Sequence, residues 1–298
     1  MIEMKNKKIG WIGTGLMGKP MAMHLLNAGY AVNVNNRTKS KAQELIDKGS
    51  TWYDTPAKLA KDSDIVVTII GYPKDVERVY FGAGGIFEEI KQNTVLIDMT
   101  TTKPSLAVKI YEQAKKVGAH FIDAPVSGGE VGAINGSLSI MIGGDEKTVN
   151  MIMPVFEVFG KNMVYQGVAG SGQHTKMCNQ IAIAGTMIGV CESLIYGYKA
   201  GLDLKTMLGS ISKGAAGCWS LDVLAPKIVE GDYAPGFMVD HFVKDLTIAL
   251  EEAEAMNLSL PGLALVKQLY ISLKAHGKGT SGTQALYLVL EKLSSLDK

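Results

Sequence analysis

A chain of 298 residues is too long for one typical core and too short for three, so two domains are expected. Thirty Lys and Arg stand against 29 Asp and Glu, leaving no global field to attract nucleic acid or an anionic membrane, which points to a small-molecule partner. Cys178, Cys191 and Cys218 have neither the count nor the spacing of a disulfide framework or a zinc site, a pattern that fits a reducing cytoplasm.

The chain starts mixed and charged from Met1 to Lys8, without the basic and apolar segments of an export signal. Short apolar runs then alternate with amphipathic stretches. Strands are expected at Lys8 to Gly13, Ala31 to Asn35, Ile65 to Ile70, Val95 to Asp98, His120 to Asp123 and Leu138 to Ile142. Helices are expected at Pro20 to Ala28, Ser40 to Lys48 and Ser105 to Val117, with another beginning near Glu146. This alternation predicts an α/β domain with a parallel sheet over residues 1–167.

From Gln173 to Ala200 the rhythm changes to one long apolar helix, and helices continue at Leu204 to Ile211, Leu221 to Glu230, Val243 to Met256, Pro261 to His276 and Gln284 to Leu293. Residues 168–298 therefore read as an all-helical domain on a long connecting helix, with a substrate pocket expected between the domains. The longest apolar stretches, Ile181 to Val190 and Asp64 to Gly71, are broken by Gly, Thr or charge well short of a membrane span, so no membrane partner is expected.

Directly after the first strand comes Gly13-Thr14-Gly15-Leu16-Met17-Gly18, which opens a helix. The G-x-G-x-x-G spacing in this strand-to-helix setting predicts a Rossmann dinucleotide site. Gly13 permits the turn, Gly15 admits the pyrophosphate and Gly18 allows close helix packing. The second strand ends in Asn35-Asn36-Arg37-Thr38, where NAD sites usually place a carboxylate for the ribose 2′-hydroxyl. Asn36 removes that repulsion and Arg37 offers a planar cation to a 2′-phosphate, so NADP is preferred, with NAD possible.

Three later segments mix Gly, hydroxyls and charge. Asp123 to Gly129 offers Ser127 and the amides of Gly128 and Gly129 as a cradle for a carboxylate, or is a tight turn. Gly170 to Gln180 opens the long helix and puts Lys176, Asn179 and Gln180 on one face. Helical lysines are usually solvated, but carbonyl reduction needs a proton donor near the developing alkoxide. His174 competes for that role from nearly the opposite face. Lys244-Asp245 begins a later helix and reads on its own as capping with a surface charge pair. The histidines lack metal-ligand spacing, and hydride transfer without a metal is the simplest chemistry.

Taken together, these segments resemble the β-hydroxyacid dehydrogenase family over nearly the whole chain. The resemblance is carried by Gly13 to Gly18, Asp98-Met99-Thr100-Thr101, Asp123 to Gly129 with Gly132 and Gly136, Gly170 to Gln180, and Lys244-Asp245. It implies that Lys176 is the catalytic lysine, that Ser127, Gly128 and Gly129 bind the substrate carboxylate, and that Thr101 and Lys244 contact the cofactor. Asn179 and Gln180 would orient the carbonyl, although many relatives carry a second asparagine where this chain has Gln180.

The resemblance also implies a homodimer or homotetramer acting on a small 3-hydroxy acid or its semialdehyde. Trp219, in Gly217-Cys218-Trp219-Ser220, either lines the pocket or is buried at a helix junction. The alternatives are an imine reductase-like enzyme or a non-catalytic cofactor-binding scaffold, and Lys176 counts against both.

Overall fold

The computed structural model describes residues 2–296; the outermost residues of the two expected domains, 1 and 297–298, lie outside them. Among the described residues nine strands form one sheet: β1 (Lys8–Ile12), β2 (Ala31–Asn35), β3 (Thr51–Trp52), β4 (Ile65–Thr68), β5 (Val95–Asp98), β6 (His120–Asp123), β7 (Val126–Ser127), β8 (Leu138–Gly144) and β9 (Gly160–Gly167). Their order is β3-β2-β1-β4-β5-β6-β8-β7, with β9 on β8. The strands from β3 to β6 are parallel, as the strand and helix alternation requires.

Side-chain alternation explains why this sheet is covered on both faces. Ile65, Val67, Val95, Ile97 and Ile122 join one apolar cluster with Met21 and Leu25 of the helix Gly18–Asn27. Val66, Leu96 and Phe121, the intervening residues, join another with Ala107 and Ile110 of the helix Pro104–Lys116. Strands buried on both sides read as continuous apolar runs, which is why they are visible in the sequence.

The sheet departs from the all-parallel expectation at its far end, where β8 runs antiparallel to β6 and β7. The chain between β7 and β8 holds only the short helix Gly129–Ile134, too little for a parallel crossover. β9 pairs parallel to β8 and was not expected, because much of it is exposed and carries Lys161, Asn162 and Gln166. The helices Pro56–Lys61 and Pro73–Phe81 were also not expected; each begins on a proline that supplies the first-turn dihedral.

The long helix spans Ser171–Lys199. It contains an 18-residue window of mean hydropathy 1.4, enough by length and composition alone to cross a bilayer, which the broken runs in the sequence did not suggest. Its Ala184, Met187, Cys191 and Leu194 instead belong to an apolar cluster with Phe242, Leu246, Tyr270 and Leu286. The chain divides into two compact units, one ending at Lys176 and one beginning at Met177, within this helix.

The second unit is helical, with Leu204–Ile211, Val239–Ala255, Pro261–Ala275 and Leu286–Leu293 close to their expected spans. The expected helix at Leu221 to Glu230 is a π-helical segment, Ser220–Leu224, running into Ala225–Val229. Pro226 explains the change, since it removes a backbone donor from the α-helical ladder.

Candidate active site

The order β3-β2-β1-β4-β5-β6 reverses direction between β1 and β4, and in such sheets the carboxyl ends of the strands at this switch point receive the dinucleotide. The glycine loop lies there. Gly13 has φ +102, and a Cβ on it would fall 2.1 Å from the Ile69 carbonyl oxygen. A Cβ on Gly18 would fall 2.0 Å from the Gly13 oxygen, whereas one on Gly15 would meet nothing within 4 Å. Two glycines are therefore needed for packing within the protein, and the third leaves open space where a pyrophosphate would approach. Thr14 Oγ1 is buried without a hydrogen-bond partner beside that space. This cradle fits a dinucleotide.

At the end of β2, the Asn36 side chain is occupied by local structure. Its Oδ1 accepts from the Thr14 N–H at 3.3 Å, and its Nδ2 donates to the Thr38 carbonyl at 2.9 Å. Asn36 thus fastens the glycine loop to the segment that carries Arg37 and Thr38, both exposed. Leu16 is exposed and Met17 half-buried on the loop itself.

Two aspartates face each other in register at the ends of β5 and β6, Asp98 and Asp123, and both are buried. Asp123 resolves its charge by capping the long helix: Oδ1 accepts from the Gly170 N–H at 2.7 Å and Oδ2 from the Gln173 N–H at 2.8 Å. Burial pushes its carboxyl up from the usual range, and the helix amides oppose that rise. The approach is close enough to demand glycine at Gly172, where a Cβ would lie 2.4 Å from the Met141 carbonyl oxygen.

Asp98 is less well served. Its Oδ1 accepts from Thr68 Oγ1 at 2.8 Å and from the Thr100 N–H at 3.1 Å, but Oδ2 is buried without a partner. Burial, reinforced by the charge of Asp123, lifts its carboxyl to about 6. The folded state therefore holds a proton that the unfolded chain gives up near pH 4, and stability falls as pH rises from about 4 to 6, by roughly 3 kcal/mol. Asp98→Asn abolishes that loss. Thermal melts should show the variant gaining on the wild type between pH 4.5 and pH 7.5; a difference constant across that range would contradict the assignment.

The loop after β5 is pinned from two sides. Thr100 Oγ1 accepts from the Ile70 N–H at 3.0 Å, beyond β4. Gln173, wholly buried, accepts from the Thr102 N–H at 3.0 Å and donates to the Thr100 carbonyl at 2.7 Å. Thr101 lies between those two anchors and is half-buried.

Lys176 follows Gln173 by one helical turn and is 6% exposed, so it is no solvated surface lysine, whereas His174 is exposed. On the same helix Asn179 donates to Gln180 Oε1 at 2.7 Å, and Gln180 Nε2 donates to Asp245 Oδ2 at 2.5 Å. Asp245 is wholly buried, with Lys244 Nζ 3.0 Å from its Oδ1. The expected surface charge pair is thus a buried ion pair joined to the long helix. One of the two Gln180 N–H donors is thus committed to that pair. Burial and the nearby Lys244 hold the His241 imidazole below its ordinary value.

Ser127 ends β7 half-buried, and Gly128 and Gly129 follow with φ +129 and +62, the left-handed dihedrals a backbone cradle uses. Trp219 is 64% exposed, which removes the reading that buries it at a helix junction.

Sequence reasoning gave no role to Gln173, the helix-capping Asp123 carboxylate or the buried Asp245. The signal for Gln173 was present: a polar residue three before Lys176 on an otherwise apolar helix lies on the same face.

The strand order, the glycine cradle and its open approach define a dinucleotide-binding fold of Rossmann type. Residues 8–167 match the family model described as the NAD binding domain of 6-phosphogluconate dehydrogenase. Residues 170–290 match the one described as NAD-binding of NADP-dependent 3-hydroxyisobutyrate dehydrogenase. The chain is 55% identical to an uncharacterized oxidoreductase of Bacillus subtilis, over 94% of this chain and 98% of that protein. It is 53% identical to the probable 3-hydroxyisobutyrate dehydrogenase-like 1, mitochondrial, of Arabidopsis thaliana, over 99% of this chain and 89% of that one. The solved 3-hydroxyisobutyrate dehydrogenase of Mycobacterium tuberculosis with L-serine superposes with a TM-score of 0.89 at 26% identity, covering 95% of this chain and 99% of that one. The protein belongs to the β-hydroxyacid dehydrogenase family, whose members are nicotinamide-dependent oxidoreductases.

Proposed function

We propose that the protein catalyses reversible hydride transfer between NADP(H) and a short 3-hydroxy acid or its semialdehyde, with Lys176 as the general acid and base. The observation that carries this reading is a buried lysine one turn into a helix whose start is fastened to the carboxyl ends of β5 and β6 through Gln173 and Asp123. A lysine held in that way is placed, and water is kept from it.

When bound, the nicotinamide supplies or accepts the hydride. Ser127 and the Gly128 and Gly129 amides hold the substrate carboxylate and fix which carbon is presented. In reduction the Lys176 ammonium gives its proton to the oxygen as negative charge develops there; in oxidation the neutral amine removes the hydroxyl proton. Oxidation releases one proton overall, so alkaline pH favours it. The 3-hydroxyisobutyrate dehydrogenase names of the relatives support this substrate class, as does L-serine, itself a 3-hydroxy acid, in the solved relative.

The test is loss of reduced-nicotinamide absorbance when purified protein and NADPH meet glyoxylate, succinic semialdehyde, tartronate semialdehyde or methylmalonate semialdehyde. Consumption with tartronate or methylmalonate semialdehyde, which give 3-hydroxy acids, supports the reading; consumption with glyoxylate or succinic semialdehyde alone would keep the hydride chemistry and move the substrate to a 2- or 4-hydroxy acid. Silence with all four, together with silence in oxidation of the matching hydroxy acids at alkaline pH, counts against it.

NADP preference follows from the lack of a carboxylate at Asn35-Asn36-Arg37 and from the exposed Arg37 guanidinium. Losing a charged hydrogen bond to a 2′-phosphate costs on the order of 1.5–3 kcal/mol. Arg37→Ala is therefore expected to raise the NADPH KM by about tenfold or more and to leave the NADH KM within about twofold. Equal effects on both would remove the preference.

A further inference from the structure

The segment Thr100-Thr101-Thr102 has no large side chain to pack, so hydrogen bonds fix its path. Gln173 meets it as a neighbouring strand would, accepting from one residue and donating to another on either side of Thr101. The backbone N–H of Gln173 is itself bonded to Asp123, and Thr100 holds the Ile70 N–H. One line of hydrogen bonds thus runs from the end of β4, across the loop after β5, to the end of β6 and the start of the long helix. This is the sheet edge beside the switch point, where a dinucleotide lies.

We propose that Gln173 is a positioning residue for the cofactor: it touches neither cofactor nor substrate, but holds residues 100–102 in the form that receives the nicotinamide half. The proposal rests on the reading of this edge as the cofactor site. A loop without these bonds samples other paths, and binding must first select the competent one, which weakens the observed affinity.

The test uses Gln173→Met and Gln173→Glu in the full chain, with NADPH titrated by fluorescence from pH 5.5 to 8.5. Each Kd is divided by the wild-type value at the same pH, and melts confirm folding. Methionine keeps the bulk but makes neither bond, so its ratio should be about ten at every pH. A protonated glutamic acid reproduces both bonds, with O–H toward the Thr100 oxygen and C=O toward the Thr102 N–H. Once ionised it opposes the Thr100 oxygen with a lone pair.

Burial and the nearby Asp123 and Asp98 raise the introduced carboxyl, and Lys176 one turn on lowers it. The glutamate ratio should therefore begin near one at acid pH and climb toward the methionine value. If Gln173→Met fails to fold, the pH dependence of Gln173→Glu decides alone. Variants that melt lower but bind with ratios of one throughout make Gln173 merely structural and overturn the proposal. A wild type that binds neither NADPH nor NADH would instead bring down the cofactor site itself.

Discussion

Lys176→Met is expected to leave a folded protein that binds NADPH normally and to lower kcat by about a thousandfold, within the roughly 10²–10⁴-fold range of a positioned general acid. The side chain is buried on a helix whose start is anchored by Asp123 through the Gly170 and Gln173 amides. His174 is two residues away, exposed and on another face of the helix. Methionine keeps the volume and removes only the ionisable nitrogen, which separates chemistry from packing. Rapid mixing of the variant with NADPH and an accepted aldehyde gives the rate directly. A loss below about fivefold, with normal folding, would remove Lys176 from the chemistry.

Asp123→Ala should strongly destabilise the first unit. It leaves the buried Gly170 and Gln173 amides without acceptors and removes a negative charge from a helix N-terminus, where the backbone dipole favours one. Two bonds to a charged acceptor at roughly 1.5–3 kcal/mol each suggest a loss of about 3–6 kcal/mol. Asp123→Asn should cost less, because one amide keeps an acceptor. Urea denaturation followed by the fluorescence of Trp11, a buried residue of β1, reads the effect. A loss under 1 kcal/mol for Asp123→Ala would show that water or backbone movement satisfies the amides.

These two residues also show which parts of the molecule could be read from the sequence. The strands at β2, β5 and β6 and the helix Leu204–Ile211 are local patterns, apolar runs with clear stops, and their expected bounds match. The glycine loop is equally local, because its spacing encodes dihedrals and close approaches within six residues. Asp123 capping Gly170 and Gln173 spans 47 and 50 positions, and the Gln180 to Asp245 bond spans 65. Pairings of that kind are set by the packing of elements, which no periodicity reports. Lys244-Asp245 shows the same limit: charges beginning an amphipathic helix look solvated in sequence, and only the fold buries Asp245. The antiparallel return of β8 was hidden because short loops with glycine look alike whichever way the next strand runs.

Deuterium at C3 of the hydroxy acid distinguishes direct hydride transfer to the nicotinamide from any route that passes through solvent. A short 3-hydroxy acid that the enzyme oxidises, labelled with deuterium at C3, is incubated with NADP⁺ in ordinary water, and the reduced cofactor is examined by mass spectrometry. Direct transfer puts one deuterium on each reduced nicotinamide, at C4. Reduced cofactor without deuterium, with the label released to solvent, would contradict it.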